Sequence, residues 1–206
     1  MNELKKYIPL IIICILHSVG LFGFFIDHLK FQSLSPLNLI ISSLLVVLMS
    51  SYKRTDFYIS LIAVSIIGFL IEVVGVKTGY IFGRYYYGQS LGFHLLSVPL
   101  LIGLNWGILL YSTIQLSNFN NPILKSFFGA FLMVLLDFFI EQNAPVYDFW
   151  YWEDGFVPLQ NYIAWFLISL VLNIVFQKKL TQTSNFTARG FYVVQFLFFV
   201  TLYFFN

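Results

Sequence analysis

Two carboxyl side chains, Asp137 and Glu141, lie four residues apart at the end of an apolar run, in the stretch LLDFFIEQNAP. On a helix this spacing places both on one face, close enough to repel each other if both are charged. Burial and a like-charged neighbour both disfavour the ionised form, so we expect one carboxyl to keep its proton while the other ionises. Such a pair would offer a proton donor and a proton acceptor in one apolar pocket.

A third acid, Glu72, lies near the end of another apolar run, and we expect it at a similar depth. An ionised carboxylate at the bilayer centre costs about 2.5–3.5 kcal/mol on insertion scales, and less near the interface. Acids in such runs therefore indicate a functional site. The alternative is that these three acids meet the lipid headgroups or pair with Lys77 or Arg84.

Amide and indole side chains accompany the acids. Asn105 and Trp106 lie in the middle of the run SVPLLIGLNWGILLYS, where the amide needs a partner inside the protein. A hydrogen bond between helices is the commoner use of such an amide, and contact with a ligand or water is the alternative. Asn161 and Trp165, again four residues apart, would present a similar pair from a later helix.

The composition of the chain identifies the elements that must hold these residues. Of 206 residues, 59% are hydrophobic and 10% are charged, whereas soluble domains carry about 25% charged residues. A membrane-spanning helix needs about 20 apolar residues. Seven runs approach this length: 7–26, 36–52, 57–76, 95–114, 123–140, 162–177 and 191–205. The sequence predicts an all-α, polytopic transmembrane helical bundle of about seven spans, forming one integral-membrane domain over 1–206 and retaining its first helix.

The distribution of basic residues predicts the orientation of the bundle. Alternate connections carry eight Lys and Arg on one side and three on the other. The eight are Lys5, Lys6, Lys53, Arg54, Lys125, Lys178, Lys179 and Arg189, and the three are Lys30, Lys77 and Arg84. Because loops rich in Lys and Arg stay cytoplasmic, we expect a multi-pass protein of the cell membrane with a cytoplasmic N-terminus and the acidic, aromatic loops outside.

Two long aromatic connections fall on the same predicted side and resemble each other. Each contains a carboxylate, an aromatic triplet, a Gly, a Pro, and then Asn and Trp, in that order. The triplets are 85–87 and 150–152. This order indicates a parallel repeat in which the third and fourth helices match the fifth and sixth, with a cleft between them. Aromatic belts at the membrane interface are the simpler explanation for any single Tyr or Trp.

Other kinds of site find little support in the sequence. The chain has one cysteine, Cys14, which excludes a disulfide within the chain. His17, His28 and His94 lack the spacing of a ligand pair. Glycine-rich nucleotide motifs, a nucleophile elbow and HExxH are absent, and no basic aromatic cluster indicates nucleic acid. We therefore expect no metal, no cofactor and no nucleic-acid partner.

The chemistry open to these residues is restricted. Polar groups in the runs are few, which favours a substrate dissolved in the lipid over a water-soluble one. A carboxylic acid in an apolar site can protonate a carbon–carbon double bond, and aromatic faces can stabilise the resulting carbocation. A nearby carboxylate can orient or deprotonate the attacking water. The outcome is hydration of an alkene, whereas without water the cation would cyclise or lose a proton.

The chain from about residue 71 to 166 resembles the membrane-integral carotenoid biosynthesis family that includes the CruF-type carotenoid 1,2-hydratases and the bisanhydrobacterioruberin hydratases. The resemblance lies in Glu72 and in the motifs TGYIFGRYYYG, VPLLIGLNW, DFFIEQNAPVYDFWYWEDG and VPLQNYIAWF. It implies a cofactor-independent hydro-lyase that adds water to the terminal double bond of an acyclic ψ end group, on a carotenoid in the bilayer. The candidate catalytic residues are Glu72, Asp137 and Glu141. The candidate substrate- or water-binding residues are Asn105, Trp106, Asp148, Trp150, Trp152, Asn161 and Trp165.

Two alternatives to the hydratase stay open on the sequence. A lycopene-type cyclase would use the same cation, and a non-enzymatic carotenoid- or lipid-binding protein or transporter would use the acids as a proton relay. Under the hydratase hypothesis, Asp137 or Glu141 is the predicted proton donor. Glu72 or the other member of the pair would hold the water. Which member of the pair carries the proton is not determined by the spacing.

Overall fold

The structure is a computed structural model that describes residues 6–50, 55–181 and 184–205. The described chain folds into α1 (Ile8–Gln32), α2 (Ser35–Leu48), α3 (Thr55–Thr78), α4 (Leu100–Leu116), α5 (Pro122–Asn143), α6 (Leu159–Leu180) and α7 (Phe186–Phe205). Four short strands join them: β1 (Tyr85–Tyr87), β2 (His94–Leu95), β3 (Val98–Pro99) and β4 (Trp150–Trp152). All the helices except α2 and α4 are long and apolar enough to cross a membrane. The predicted all-α helical bundle is confirmed, and its long apolar helices indicate a membrane protein.

The helices α2 and α4 differ most from the predicted spans. α2 has 14 residues and α4 has 17, so at 1.5 Å per residue they are about 21 and about 26 Å long. Both fall short of a hydrocarbon core of about 30 Å. α4 begins five residues later than predicted, because the residues before it form the β2–β3 hairpin and Pro99 has an extended backbone. A sequence pattern that counts only apolar residues does not register this hairpin.

The predictions also include residues that the structure does not describe. The predicted second span ends at residue 52, and the basic count includes Lys5, Lys53 and Arg54. All four positions lie outside the described residues.

The first helix is longer than predicted and is bent near its end. Its backbone leaves the helical conformation at Asp27, with φ −156° and ψ 81°. The Asp27 carboxylate accepts a hydrogen bond from the Lys30 N–H at 3.2 Å, as at the start of a helical turn. Beyond the bend, the Phe31 ring folds back onto Gly23, so closely that a side chain there would meet the ring. The bend therefore turns the end of α1 back over its own preceding turns.

Glycines let α3 and α4 approach closely. A Cβ atom at Gly103 would lie 2.7 Å from the Ser65 carbonyl oxygen, and one at Gly107 would lie 2.2 Å from the Ser65 hydroxyl. On the facing helix, a Cβ atom at Gly68 would lie 2.5 Å from the Trp106 side chain. Small residues at such a contact are typical of helix pairs in membranes. This contact brings Trp106 of α4 next to the part of α3 that carries an acid.

The two aromatic connections meet at one end of the bundle, which we call the aromatic-loop end (residues 79–99 and 144–158). There β1 pairs antiparallel with β4, with Tyr85 opposite Trp152 and Tyr87 opposite Trp150. Successive side chains of a strand point to opposite faces. The middle residues, Tyr86 and Tyr151, stack on each other on one face, with ring centroids 5.4 Å apart. The first and third residues of each triplet therefore share the other face.

Candidate active site

Glu141 lies in the last turn of α5 and takes three N–H hydrogen bonds. The indole nitrogens of Trp150 and Trp152 both donate to Oε2 at 2.8 Å. The amide of Asn161, in the first turn of α6, donates to Oε1 at 3.1 Å. Charge-assisted hydrogen bonds of this kind suit an ionised carboxylate. One lone pair of Oε1 stays open to a further donor, because each carboxylate oxygen can accept two hydrogen bonds.

Glu72, near the end of α3, has a similar set of partners. Tyr85 and Tyr87 donate their hydroxyl hydrogens to Oε2 at 2.5 and 2.8 Å, and the Trp106 indole donates to Oε1 at 2.9 Å. Burial, followed by the neighbouring Glu72 carboxyl, raises the pKa of both tyrosine hydroxyls well above its ordinary value. Both hydroxyls therefore keep their protons and act as donors.

The two glutamates have equivalent hydrogen-bond partners in the two halves of the site. Each accepts hydrogen bonds from the first and third residues of the aromatic triplet that follows it in the chain. The two triplets then pair through β1 and β4. This arrangement agrees with the predicted repeat of α3 and α4 in α5 and α6, and the site occupies the predicted cleft between the two halves.

Asp137 differs from both glutamates because one of its oxygens has no partner. It is 1% exposed. Its Oδ2 accepts a hydrogen bond from Asn161 at 3.0 Å, from the same amide nitrogen that binds Glu141. Its Oδ1 has no hydrogen-bond partner among the described residues, which is costly for a buried polar atom. One oxygen of this buried carboxyl is thus left unused by the hydrogen bonds of the site.

Aromatic rings surround the three carboxyls. Trp106 and Trp165 stack with centroids 4.1 Å apart and planes inclined by 18°. Tyr85 lies against Trp152 at 5.1 Å, and Tyr87 meets Trp150 edge-on at 5.9 Å. The faces of such rings carry negative electrostatic potential and attract cations.

The carboxyls and rings enclose a small cavity of about 30 Å³, which is above the roughly 10–15 Å³ that a cavity needs to hold one water molecule. It is lined by Glu72, Phe82, Tyr85, Tyr87, Ile102, Asn105, Trp106, Asp137, Ile140, Glu141, Trp150, Trp152, Asn161 and Trp165. Nine of the ten candidate site residues border it, and Asp148 does not. The structure thus brings nearly the whole predicted set to one place, which we call the carboxyl cavity.

Asp148 joins the two aromatic connections outside the carboxyl cavity. Its Oδ2 accepts hydrogen bonds from the backbone N–H groups of Gln89 and Ser90 at 2.9 and 3.2 Å. The Tyr151 hydroxyl donates to Oδ1 at 2.9 Å. Partial burial raises the pKa of Asp148, but these hydrogen bonds outweigh it and hold the pKa below the ordinary 3.8. Its backbone φ of 54° is left-handed, which Asp and Asn tolerate better than most residues.

We expect Asp148→Asn to weaken the junction of the loops without changing the carboxyl cavity. A lowered carboxyl pKa stabilises the folded state above the unfolded pKa, and this contribution is lost as pH falls below it. The native protein should therefore lose a few degrees of melting temperature between about pH 5 and about pH 3, where an unperturbed Asp titrates. Asp148→Asn should start lower and change less over that range, in a thermal scan of detergent-solubilised protein. An equal pH dependence in both proteins would contradict this role.

The structure also decides between alternatives that the sequence leaves open. Glu72, Asp137 and Glu141 are 3%, 1% and 3% exposed, and none of them pairs with Lys77 or Arg84 within the described residues, which disfavours the headgroup and ion-pair alternative. Asn105 makes no hydrogen bond to the described residues and borders the cavity, which favours contact with a ligand or water over a helix-to-helix bond. Among the described residues, no group of three or more His, Cys, Asp and Glu side chains could hold a metal ion.

Sequence reasoning missed Tyr85 and Tyr87 as partners of Glu72. Their signal was the spacing of two residues within an aromatic triplet, which puts both side chains on one face of a strand. The later triplet repeats it with Trp150 and Trp152. A prediction of both triplets as strands would have placed all four side chains on one face, as partners of the two glutamates.

The fold and the site together define a membrane-embedded helical bundle with a buried carboxyl centre beneath paired aromatic strands. A family model described as "Carotenoid biosynthesis protein" matches residues 35–206, and the chain belongs to this family. The match contains every residue that lines the carboxyl cavity and leaves α1 outside it. Comparisons with curated proteins and with solved structures found no match. Membership confirms the resemblance, suggests an enzymatic role and implies a carotenoid substrate.

Proposed function

We propose that the protein is a carotenoid hydratase, a cofactor-independent hydro-lyase that adds water to the terminal double bond of an acyclic carotenoid end group. One observation carries the proposal. Asp137, whose Oδ1 has no hydrogen-bond partner among the described residues, and Glu141 both border one water-sized cavity. A proton donor, a proton acceptor and room for one water are the three requirements for hydrating an alkene without a cofactor.

Hydrogen bonding favours Asp137 as the proton donor. Glu141 and Glu72 each receive three hydrogen bonds from N–H or O–H groups, which stabilise negative charge. Asp137 receives one, on Oδ2, so a proton on Oδ1 meets no competing donor. The sequence left the choice between Asp137 and Glu141 open, and this asymmetry supports Asp137.

The reaction can be written with each proton accounted for. The Asp137 Oδ1–H bond breaks, and the proton goes to the terminal CH carbon of the double bond, leaving a tertiary carbocation. The aromatic rings that line the cavity stabilise the cation. A water molecule, hydrogen-bonded to Glu141 Oε1, forms the new carbon–oxygen bond and gives its surplus proton to that carboxylate. A proton passing from Glu141 to Asp137 restores the starting state, and the net change is addition of one water.

Pigment mass in a lycopene-accumulating host tests the proposal directly. We expect expression to yield pigments heavier by one water per modified end, measured by mass spectrometry of extracted carotenoids. New pigments of unchanged mass would instead indicate a cyclase, because cyclisation moves a proton without adding atoms. Unchanged lycopene and other ψ-ended pigments, in a strain with confirmed membrane expression, would overturn the enzymatic proposal.

The proposed orientation in the cell membrane places the N-terminus in the cytoplasm and the aromatic-loop end outside. It rests on the excess of Lys and Arg at the other end, where Lys179 is an exposed example. In a Cys14→Ser background, we expect a membrane-impermeant maleimide to label Glu153→Cys in intact cells. Lys179→Cys should be labelled only after permeabilisation. The reverse pattern would invert the orientation.

A further inference from the structure

A second, larger cavity of about 200 Å³ lies among α1, α2, α4 and α7. We call it the apolar chamber, because aliphatic and phenyl side chains form most of its lining. It shares four lining residues with the carboxyl cavity: Ile102, Asn105, Ile140 and Trp150. The chamber therefore adjoins the carboxyl cavity across a wall that is one side chain thick.

The chamber reaches the surface of the bundle between α1 and α2. Its lining includes Val19, Leu34 and Leu37, which are 55%, 47% and 55% exposed. Sites that enclose a whole drug-sized ligand measure roughly 300–1,000 Å³. A chamber of this size with a lateral opening suits one end of a long apolar chain, whose remainder stays in the lipid.

Gln195 of α7 is out of place in this apolar lining. It is 9% exposed, and its side-chain oxygen is buried without a hydrogen-bond partner among the described residues. A buried carbonyl oxygen without a hydrogen-bond partner destabilises the folded protein. A ligand that brought a hydroxyl group to this side chain would remove that cost.

His17 of α1 offers a second polar atom to the same chamber. Its Nδ1 lies 2.9 Å from the Ile13 carbonyl oxygen, which can only accept, so Nδ1 carries the hydrogen and Nε2 is left as an acceptor. The ring packs against Phe191 and Phe198, at 6.2 and 5.6 Å. These residues flank Gln195 on one face of α7, which places Gln195 on the side of α7 that faces His17.

We propose that the apolar chamber binds the end of a linear isoprenoid alcohol, whose hydroxyl donates its hydrogen bond to the Gln195 side-chain oxygen. A hydroxyl has one hydrogen to donate, and donating it to Gln195 satisfies that buried acceptor, with His17 Nε2 as the alternative acceptor. The isoprenoid identity of the chain rests on the proposed function. The hydroxyl belongs either to the hydrated end of the product or to an alcohol already present on the chain.

Saturated probes test binding without turnover, because they have no double bond to hydrate. The probes are farnesane, a farnesane alcohol with its hydroxyl on the branched end carbon, and one with its hydroxyl on the primary end carbon. Binding to the full chain in nanodiscs of fixed lipid content can be followed by the shift of tryptophan emission as the probe changes the polarity around Trp150, which lines the chamber. We expect at least one alcohol to bind about 3- to 10-fold more tightly than farnesane, the contribution of one net hydrogen bond.

Two variants distinguish the contribution of the hydroxyl contact to binding from the contribution of the apolar chamber. Gln195→Met keeps the length of the side chain, and it should remove the preference for the alcohol while leaving the affinity for farnesane unchanged. A Cβ atom at Gly20 would meet only Phe198 at 3.6 Å and Asn38 at 3.9 Å, so Gly20→Leu should fold and fill the chamber. It should weaken binding of all three probes at least tenfold. Ser18→Leu, on an exposed face of the same helix that does not line the chamber, is the matched control and should bind as the native protein does.

Each outcome is decisive. Preference for the branched-end alcohol assigns the chamber to the hydrated end of the product, and preference for the primary alcohol assigns it to another alcohol on the chain. Equal binding of alcohols and farnesane, or unchanged binding in Gly20→Leu, overturns the proposal. The double variant Asp137→Asn, Glu141→Gln should bind the probes normally. If the native protein binds the alcohol probes but does not hydrate lycopene, the hydratase proposal fails and this one stands, whereas hydration without preference for an alcohol probe has the opposite meaning.

Discussion

Asp137→Asn is expected to lower carotenoid hydration by about 100- to 10,000-fold, the usual contribution of a general acid. The asparagine has nearly the same shape and can still accept the hydrogen bond from Asn161, so the cavity should persist. It has no acidic hydrogen to give to an alkene. Hydrated pigment in a lycopene-accumulating host, normalised to protein in the membrane fraction, is the measurement.

The matched control for this variant is Asp154→Asn. Asp154 is an exposed acid at the same aromatic-loop end and does not line the carboxyl cavity. The same chemical change there should leave hydration within about twofold of native, as is usual for exposed positions. Retained pigment binding by Asp137→Asn would show that the variant is folded. Hydration by Asp137→Asn within tenfold of native would remove Asp137 from the role of proton donor.

Much of the carboxyl cavity could be predicted from local sequence. Helical spacing alone placed Asp137 and Glu141 on one face of α5. The similar order of the two aromatic connections predicted that two halves would meet at a cleft. These features were accessible because each depends on residues that lie within a few turns or within one repeated pattern.

The hydrogen bonds inside the site depend on pairing between distant segments and could not be predicted in this way. Glu72 gains Tyr85 and Tyr87 only because β1 forms a strand and pairs with β4, 65 residues later, with Tyr85 opposite Trp152. A triplet of aromatic residues is equally compatible with an interfacial belt. For Asn105 the sequence left both a hydrogen bond between helices and a ligand contact open, because the choice depends on what lies opposite the side chain, and Asn105 borders a cavity.

The apolar chamber could not be predicted from the sequence, for a different reason. Its polar residues come from α1 and α7, which are separated by most of the chain and share no motif. The spacing of His17 from the other histidines indicates no ligand pair, and Gln195 gives no signal of its own, because a single amide in an apolar helix has many structural uses. Their meeting depends on the packing of α1 against α7, which hydropathy does not encode.

Glu141→Gln is expected to stop the reaction at a different step from Asp137→Asn. Asp137 would still protonate the double bond, but glutamine cannot take the surplus proton from an attacking water. The cation would then return a proton to Asp137 instead of forming the alcohol. Hydration should fall by about 100- to 10,000-fold, the range for loss of a general base, while exchange of hydrogen at the end group continues.

Membranes incubated with lycopene in deuterated water distinguish the two variants. Glu141→Gln should return lycopene that contains deuterium at the CH carbon of its terminal double bonds, whereas Asp137→Asn should return unlabelled lycopene. Deuterium appearing with Asp137→Asn and not with Glu141→Gln would exchange the two roles, making Glu141 the donor. Native hydration by Glu141→Gln would mean that Glu72 takes the proton from water, because Glu72 Oε1 accepts a single hydrogen bond, from Trp106, and keeps a lone pair open to the same cavity.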